Sequence, residues 1–343
     1  MQYKRGMYGG AFDPLHRGHI QCILQAASLC ETLYVVLSYS RKRDHIPMEL
    51  RYRWLAGSFR HMNNIKILLL EDDADSKDAY TESHWEQGRD AVLQKIGAPL
   101  DVVFCGSDYA GSNRYENLYH CKVEYFDRRL SPVSSTRIRE NPLKNWQWLP
   151  AISRSYFAKR VVLLGGESTG KSTLTQNLAM LYDTNFLEEV GREVCLKAGT
   201  EDTMIAEDFY EILIRHKAGE MECLRHSNRI LFEDTEALTT LWFSRFLLNN
   251  KEEIHHTEAL AEAVNAINRF DLIFFLEPTV PFVQDGTRNE EIAAQRELYS
   301  SQIKALLDSH GLTYHCLDGD YRQRMEEAVC IINNTFGMEK IKW

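Results

Sequence analysis

At 343 residues the chain is long for one domain, and its length points to two. Hydrophobic residues make up 44% and charged residues 26%, a globular balance that excludes a disordered chain. The net charge of −9 argues against general nucleic-acid binding, so any polyphosphate site must gather its cations locally.

The chain opens MQYKRGMYGGAF, without a signal or transit pattern, and no apolar run nears the roughly 20 residues needed to cross a bilayer. The eight cysteines form no CxxC pair and no zinc-like spacing, which fits free thiols in a reducing compartment. A cytoplasmic protein with no membrane partner is expected. The sequence is compatible with a homo-oligomer.

In chain order, the first half offers apolar runs that read as buried strands at 33–40, 65–70, 101–108 and 121–127, with an amphipathic helix at 49–62. The second half repeats this at 160–166, 184–190, 229–235, 271–278 and 312–319. Alternation of short strands with helical segments predicts an α/β fold: two doubly wound parallel-sheet domains. The boundary falls in 141–160, where two prolines and several aromatics suggest a packed junction and a fixed relative orientation. Domains of 1–145 and 146–343 are expected.

The first chemical motif runs from Gly9 through Gly10, Ala11, Phe12, Asp13, Pro14, Leu15, His16, Arg17 and Gly18 to His19. It lies where a first strand ends and a helix begins, so small residues let backbone N–H groups approach a polyphosphate at a helix amino terminus. His16 and His19 share one face of a turn and can donate to phosphate oxygens that gain charge as a bond to phosphorus breaks. Asp13 either orients a divalent cation through water or caps the turn.

This stretch resembles the (H/T)xGH signature of the nucleotidyltransferase superfamily. The second superfamily motif, ISSTxxR, has a counterpart about 115 residues on in Val133, Ser134, Ser135, Thr136, Arg137, Ile138 and Arg139. By that resemblance Ser134, Ser135 and Thr136 hold the β- and γ-phosphates and Arg139 neutralises charge. An N-cap followed by a solvated basic turn is the structural alternative.

The second motif, Gly165, Gly166, Glu167, Ser168, Thr169, Gly170, Lys171, Ser172, fits GxxxxGK[ST] between a strand and a helix that begins with Thr173 and its neighbours. Loop amides cradle ATP phosphates, Lys171 reaches the β/γ oxygens, and Ser172 ligates Mg²⁺. Asp234 is the expected acid completing the metal environment. Glu189 and Arg192 project toward the same cleft, because ligands sit at the carboxyl ends of strands. Glu236 is a further acidic candidate. Asp285, Arg288 and Arg296 read as an arginine-bearing lid or as a solvated helix.

A nucleotidyltransferase domain followed by a P-loop kinase resembles the NadR-type bifunctional proteins. GGESTGKS, EVGRE (189–193), DTEALTT (234–240) and PFVQDGTR (281–288) carry the resemblance, with LEDDAD (70–75), Trp85, FCGSD (104–108) and SSTRIR (134–139) in the first half. It implies Gly106 at the ATP and mononucleotide site, and Trp85 as the stacking partner of a nicotinamide ring or a core residue. It implies that the second domain phosphorylates ribosylnicotinamide to NMN with ATP. The first then adenylylates NMN to NAD, releasing pyrophosphate.

Some members of that family carry an amino-terminal helix-turn-helix; here the first motif begins by residue 9, so a nucleic-acid partner is not expected. The GGAFDPLH form is shared with other adenylyltransferases, leaving a different phosphomonoester acceptor as one alternative. A nucleotide sensor without turnover is the other.

Overall fold

The computed structural model describes residues 1–72, 80–127, 132–283 and 294–338. The chain divides into two compact units, Met1–Ser153 and Arg154–Trp343. No helix among the described residues is long and apolar enough to cross a membrane.

Unit 1 holds β1 (Tyr3–Gly10), β2 (Cys30–Tyr39), β3 (Ile65–Glu71), β4 (Val102–Gly106) and β5 (Lys122–Phe126). They form one sheet of order β3-β2-β1-β4-β5, with every pairing parallel. Parallel neighbours need crossovers, and the helices Arg17–Leu29, Met48–Phe59 and Glu82–Ile96 supply them. The expected helix at 49–62 starts directly after Pro47, whose fixed φ and missing N–H suit a helix entrance. Leu33 through Leu37 of β2 are all buried, as expected of a strand covered on both faces.

Unit 2 holds β6 (Lys159–Leu164), β7 (Phe186–Leu187), β8 (Ile230–Asp234), β9 (Leu272–Leu276) and β10 (His315–Leu317), again all parallel, in the order β10-β9-β6-β8-β7. Two-residue alternation splits its core. Val161, Leu163, Phe232 and Phe274 pack one way with Leu178, Met325 and Ile332. Val162, Leu164, Ile273 and Phe275 pack the other way with Leu238, Leu241 and Ile303. Each such fully buried side chain contributes about 1.5–3 kcal/mol of transfer free energy. The strand expected at 184–190 shrinks to Phe186–Leu187, because Val190 already starts a helix.

In both sheets the first strand of the unit is central, with later strands added on either side. The crevice beyond the carboxyl end of such a strand is where ligands bind in open α/β sheets. Gly9 to His19 follow β1, and Gly165 to Ser172 follow β6.

Candidate active sites

His16 is the N-cap of the helix Arg17–Leu29 and His19 is its third residue. The His19 backbone N–H donates to His16 Nδ1 at 3.3 Å, and the His16 N–H donates to His19 Nδ1 at 3.4 Å. The rings stack with centroids 3.6 Å apart. With both Nδ1 atoms accepting, the ring N–H of each imidazole is the one on Nε2. Phe12, buried and held at a φ of 49°, packs edge-on against His19 at 5.0 Å.

The two first-domain motifs meet in space. Ser135 donates to the Pro14 carbonyl at 3.0 Å. Arg139 donates to the Asp13 carbonyl and lies 3.4 Å from the Asp13 carboxylate. Ser134 caps its short helix by accepting from the Arg137 N–H at 3.2 Å, and the exposed Thr136 follows it. The N-cap alternative therefore describes Ser134 locally, while Ser135 and Arg139 tie that turn to the first loop.

Asp13 has a turn-holding role. Its carboxylate accepts from the Ile46 N–H at 3.1 Å and the His45 N–H at 3.2 Å, which anchors the segment after β2. Arg51, fully buried, donates to the Ala11 carbonyl at 2.7 Å and pairs with Asp44. Arg51 was not singled out from the sequence, since it reads there as one charge on an amphipathic helix. Gly9 and Gly10 end β1 and Gly106 ends the adjacent β4, so all three share one sheet edge. Trp85 sits in an aromatic nest, 5.3 Å from Tyr80 and 6.0 Å from Tyr115, with the Arg114 guanidinium 5.0 Å over its ring.

The loop after β6 has the backbone its motif requires. Gly165 has a φ of 143°, and a Cβ there would meet the Leu276 carbonyl at 2.7 Å, so only glycine fits. Gly170 adopts a left-handed conformation and starts the helix Lys171–Leu181. Thr169 donates to the Gly166 carbonyl at 2.9 Å, and Lys171 Nζ donates to the same oxygen at 3.0 Å. Lys171 is thus buried within its own loop, positioned over the cradle.

A cavity of about 190 Å³ opens from this loop, with Glu167, Lys171, Ser172, Thr173, Glu189 and Arg192 on its wall. Arg192 lies 3.4 Å from Ser172 Oγ and 3.9 Å from Glu189. Asp234 ends β8 nearly fully buried. Burial pushes its carboxyl up to about 6 and Glu189 adds to the rise, while Lys171, Ser172 and Arg192 oppose it. Asp234 and Glu189 thus lie in one electrostatic cluster with Lys171, Ser172 and Arg192. The opposite end of the cavity is apolar, with Met204, Phe209, Ile212, Phe243 and Leu247.

The expectation for Glu236 is corrected. It is buried as the N-cap of the helix Ala237–Leu247, accepting from the Leu238 and Thr239 N–H groups, each at 2.7 Å, and it does not line the cavity. Orphan N–H groups at a buried helix start consume its oxygens. Arg296 donates to the Val280 carbonyl at 2.7 Å and to the Ser168 carbonyl at 3.1 Å, bracing the phosphate loop from behind. The other lid candidates, Asp285 and Arg288, lie outside the described residues. Arg324, unrecognised in the sequence and 1% exposed, donates to the carbonyls of Thr169 and Glu277 and so locks the loop against the end of β9.

Comparison with known proteins matches this division. The cytidylyltransferase-like family matches residues 7–141, and the AAA domain family matches residues 160–324. The trifunctional NAD biosynthesis/regulator protein NadR of Salmonella typhimurium is 27% identical over 350 residues, covering 97% of this chain and 83% of that protein. A NadR protein solved in complex with NR superposes with a TM-score of 0.83 at 26% identity, covering 99% of this chain and 98% of that one. A NadR protein solved with NAD and AMP-PNP gives 0.82 at 25% identity, with the same coverage. Two glycine-started loops on two parallel sheets, matched along almost the whole length, make the chain similar to the NadR-type bifunctional proteins.

Proposed function

We propose that unit 2 phosphorylates ribosylnicotinamide with ATP and that unit 1 transfers AMP from a second ATP to the resulting mononucleotide, giving NAD and pyrophosphate. The catalytic division assigned is residues 1–145 for adenylyl transfer and 146–343 for the kinase. The observation that carries this reading is the meeting of His16, His19, Ser135 and Arg139 at one loop, in a chain that also has a complete P-loop cavity. NadR proteins crystallised with NR, and with NAD and AMP-PNP, support it through their full-length likeness.

In the kinase step the 5′-hydroxyl oxygen bonds to the γ-phosphorus of ATP as the bond to the β,γ-bridging oxygen breaks, and ADP leaves. Lys171 and the loop amides balance the phosphate charge, and Glu189 stands on the cavity wall to take the hydroxyl proton. In the second step a phosphate oxygen of the mononucleotide bonds to the α-phosphorus of ATP and pyrophosphate departs. The Nε2 donors of His16 and His19, with Arg139 and the Ser134–Thr136 turn, neutralise the charge that develops. No protein nucleophile is needed, so positioning and electrostatics carry catalysis.

Ser172 and Asp234 would hold an Mg²⁺ ion that accompanies ATP. Among the described residues no group of three or more His, Cys, Asp or Glu forms a metal cage, and Mg²⁺ with nucleotides relies on one or two protein oxygens plus phosphates. The ion would supply charge neutralisation on the departing phosphates. A cytoplasmic setting follows from this chemistry, with ATP abundant and free thiols such as Cys30, Cys105 and Cys195 kept reduced.

Incubating the protein with ribosylnicotinamide, ATP and Mg²⁺ and resolving products by chromatography tests the reading. Mononucleotide with ADP, followed by NAD with pyrophosphate, is expected. Consumption of another phosphate acceptor with neither product formed would overturn it.

A further inference from the structure

Among the polar side chains of the kinase cavity that the steps above do not use is a histidine set among apolar residues. His216 lies on the helix Ala206–His226, four residues from Ile212 and seven from Phe209 along one face, and lines the cavity with them. Its ring donates to the backbone carbonyl of Asp234, the residue that ends β8 beside Lys171 and Ser172. Its Nε2 is buried and has no hydrogen-bond partner among the described residues. Because Nδ1 is then the donor, Nε2 carries a lone pair and is an acceptor.

A buried acceptor without a partner is costly, and a binding pocket is where such a cost is recovered on ligand binding. The cavity offers hydrophobic surface for a planar ring at Met204, Phe243 and Leu247, and phosphate-transfer groups at Lys171 and Ser172. Through Asp234, His216 is held toward the transfer end, where the sugar of a bound nucleoside sits between base and reacting 5′-oxygen. We propose that His216 Nε2 accepts a hydrogen bond from a ribose hydroxyl of the acceptor nucleoside, orienting the sugar and selecting ribosides over deoxyribosides. This inference rests on the nucleoside kinase reading and adds a specificity-determining contact to it.

The experiment compares kcat/KM for phosphorylation of ribosylnicotinamide and its 2′-deoxy and 3′-deoxy analogues, using the full chain and its variants. His216→Phe keeps a ring but removes the acceptor, and should lower kcat/KM for the riboside by roughly 10- to 100-fold, the range for an unpaired buried hydrogen-bonding group. The unmodified protein should lose a similar factor on one deoxy analogue, and His216→Phe should lose nothing more on that analogue. His216→Gln, which restores a carbonyl acceptor, should recover part of the loss. Indifference of the unmodified protein to both deoxy analogues would overturn the contact, as would an equal loss by His216→Phe on every substrate. If His216→Phe fails to fold, as judged by circular dichroism, the analogue series on the unmodified protein decides alone. Absence of any turnover of ribosylnicotinamide overturns the kinase reading and this inference with it; turnover insensitive to sugar and to His216 overturns only the inference.

Discussion

Ser135 Oγ donates to the Pro14 carbonyl at 3.0 Å across 121 residues of chain, and this bond makes two separate sequence motifs one site. The stacked pair of His16 and His19 stands at the start of the helix that follows Pro14. The carbonyl of Asp13, next to Pro14, receives Arg139. The turn around Pro14 therefore gathers the stacked histidines and the Arg139 guanidinium, the groups proposed above to act on the departing phosphate.

Removing one of those donors should cripple one activity alone. His19→Ala should reduce adenylyl transfer by about 10²- to 10³-fold, the usual effect of losing one preorganised donor. Phosphorylation of ribosylnicotinamide should stay within twofold of its unmodified rate. A parallel assay of NAD and mononucleotide formation reads both, and equal losses in the two would contradict independent sites.

The mirror experiment uses Lys171→Ala. The ammonium lies within its own loop, 3.0 Å from the Gly166 carbonyl. Kinase activity should drop by roughly 10²- to 10³-fold, while adenylyl transfer to supplied mononucleotide persists. Retained kinase activity would show that the loop does not act as a P-loop cradle.

Glu236 should behave as a structural residue. Glu236→Ala leaves the Leu238 and Thr239 N–H groups buried without their acceptor, costing about 1–3 kcal/mol. The melting temperature should drop by several degrees, with kcat per folded molecule unchanged. A tenfold loss of kinase activity at unchanged melting temperature would restore the substrate-binding role read from the sequence.

Glu233 makes stability depend on pH. It is fully buried on β8, and desolvation, with Glu220 adding to it, holds its carboxyl well above the ordinary 4.5 despite Arg160 and Lys217. The folded state thus keeps a proton that the unfolded chain releases above 4.5. Stability contributed by this group is full below that pH and declines as pH rises toward the folded value. Glu233→Gln should flatten that decline and raise the melting temperature at pH 8, by about 2–4 °C for each kcal/mol recovered. Thermal melts at pH 5 and pH 8 check it, and an unchanged pH slope in the variant would refute it.

Much of this protein was legible because its signals are local. Short apolar runs marked β6, β8 and β9, and the spacing of glycines with Lys171 named the phosphate loop, since strand burial and loop geometry act over a few residues. His16 and His19 were also readable, being one helical turn apart. Asp234 and Glu236 show where local reading stops: two residues apart, one ends a strand beside Lys171 and Ser172 and the other caps a helix, and the start of that helix decides which.

The order of the motifs and the residue types they bring were determined by the sequence itself. Tertiary structure alone decided which distant groups hold them in place. Arg51 reaches Ala11 across 40 residues, Ser135 reaches Pro14 across 121, and Arg324 reaches Thr169 across 155. No periodicity announces such contacts, because a buried arginine is chosen by the carbonyls that the folded backbone aims at it, and those exist only after the sheets have closed.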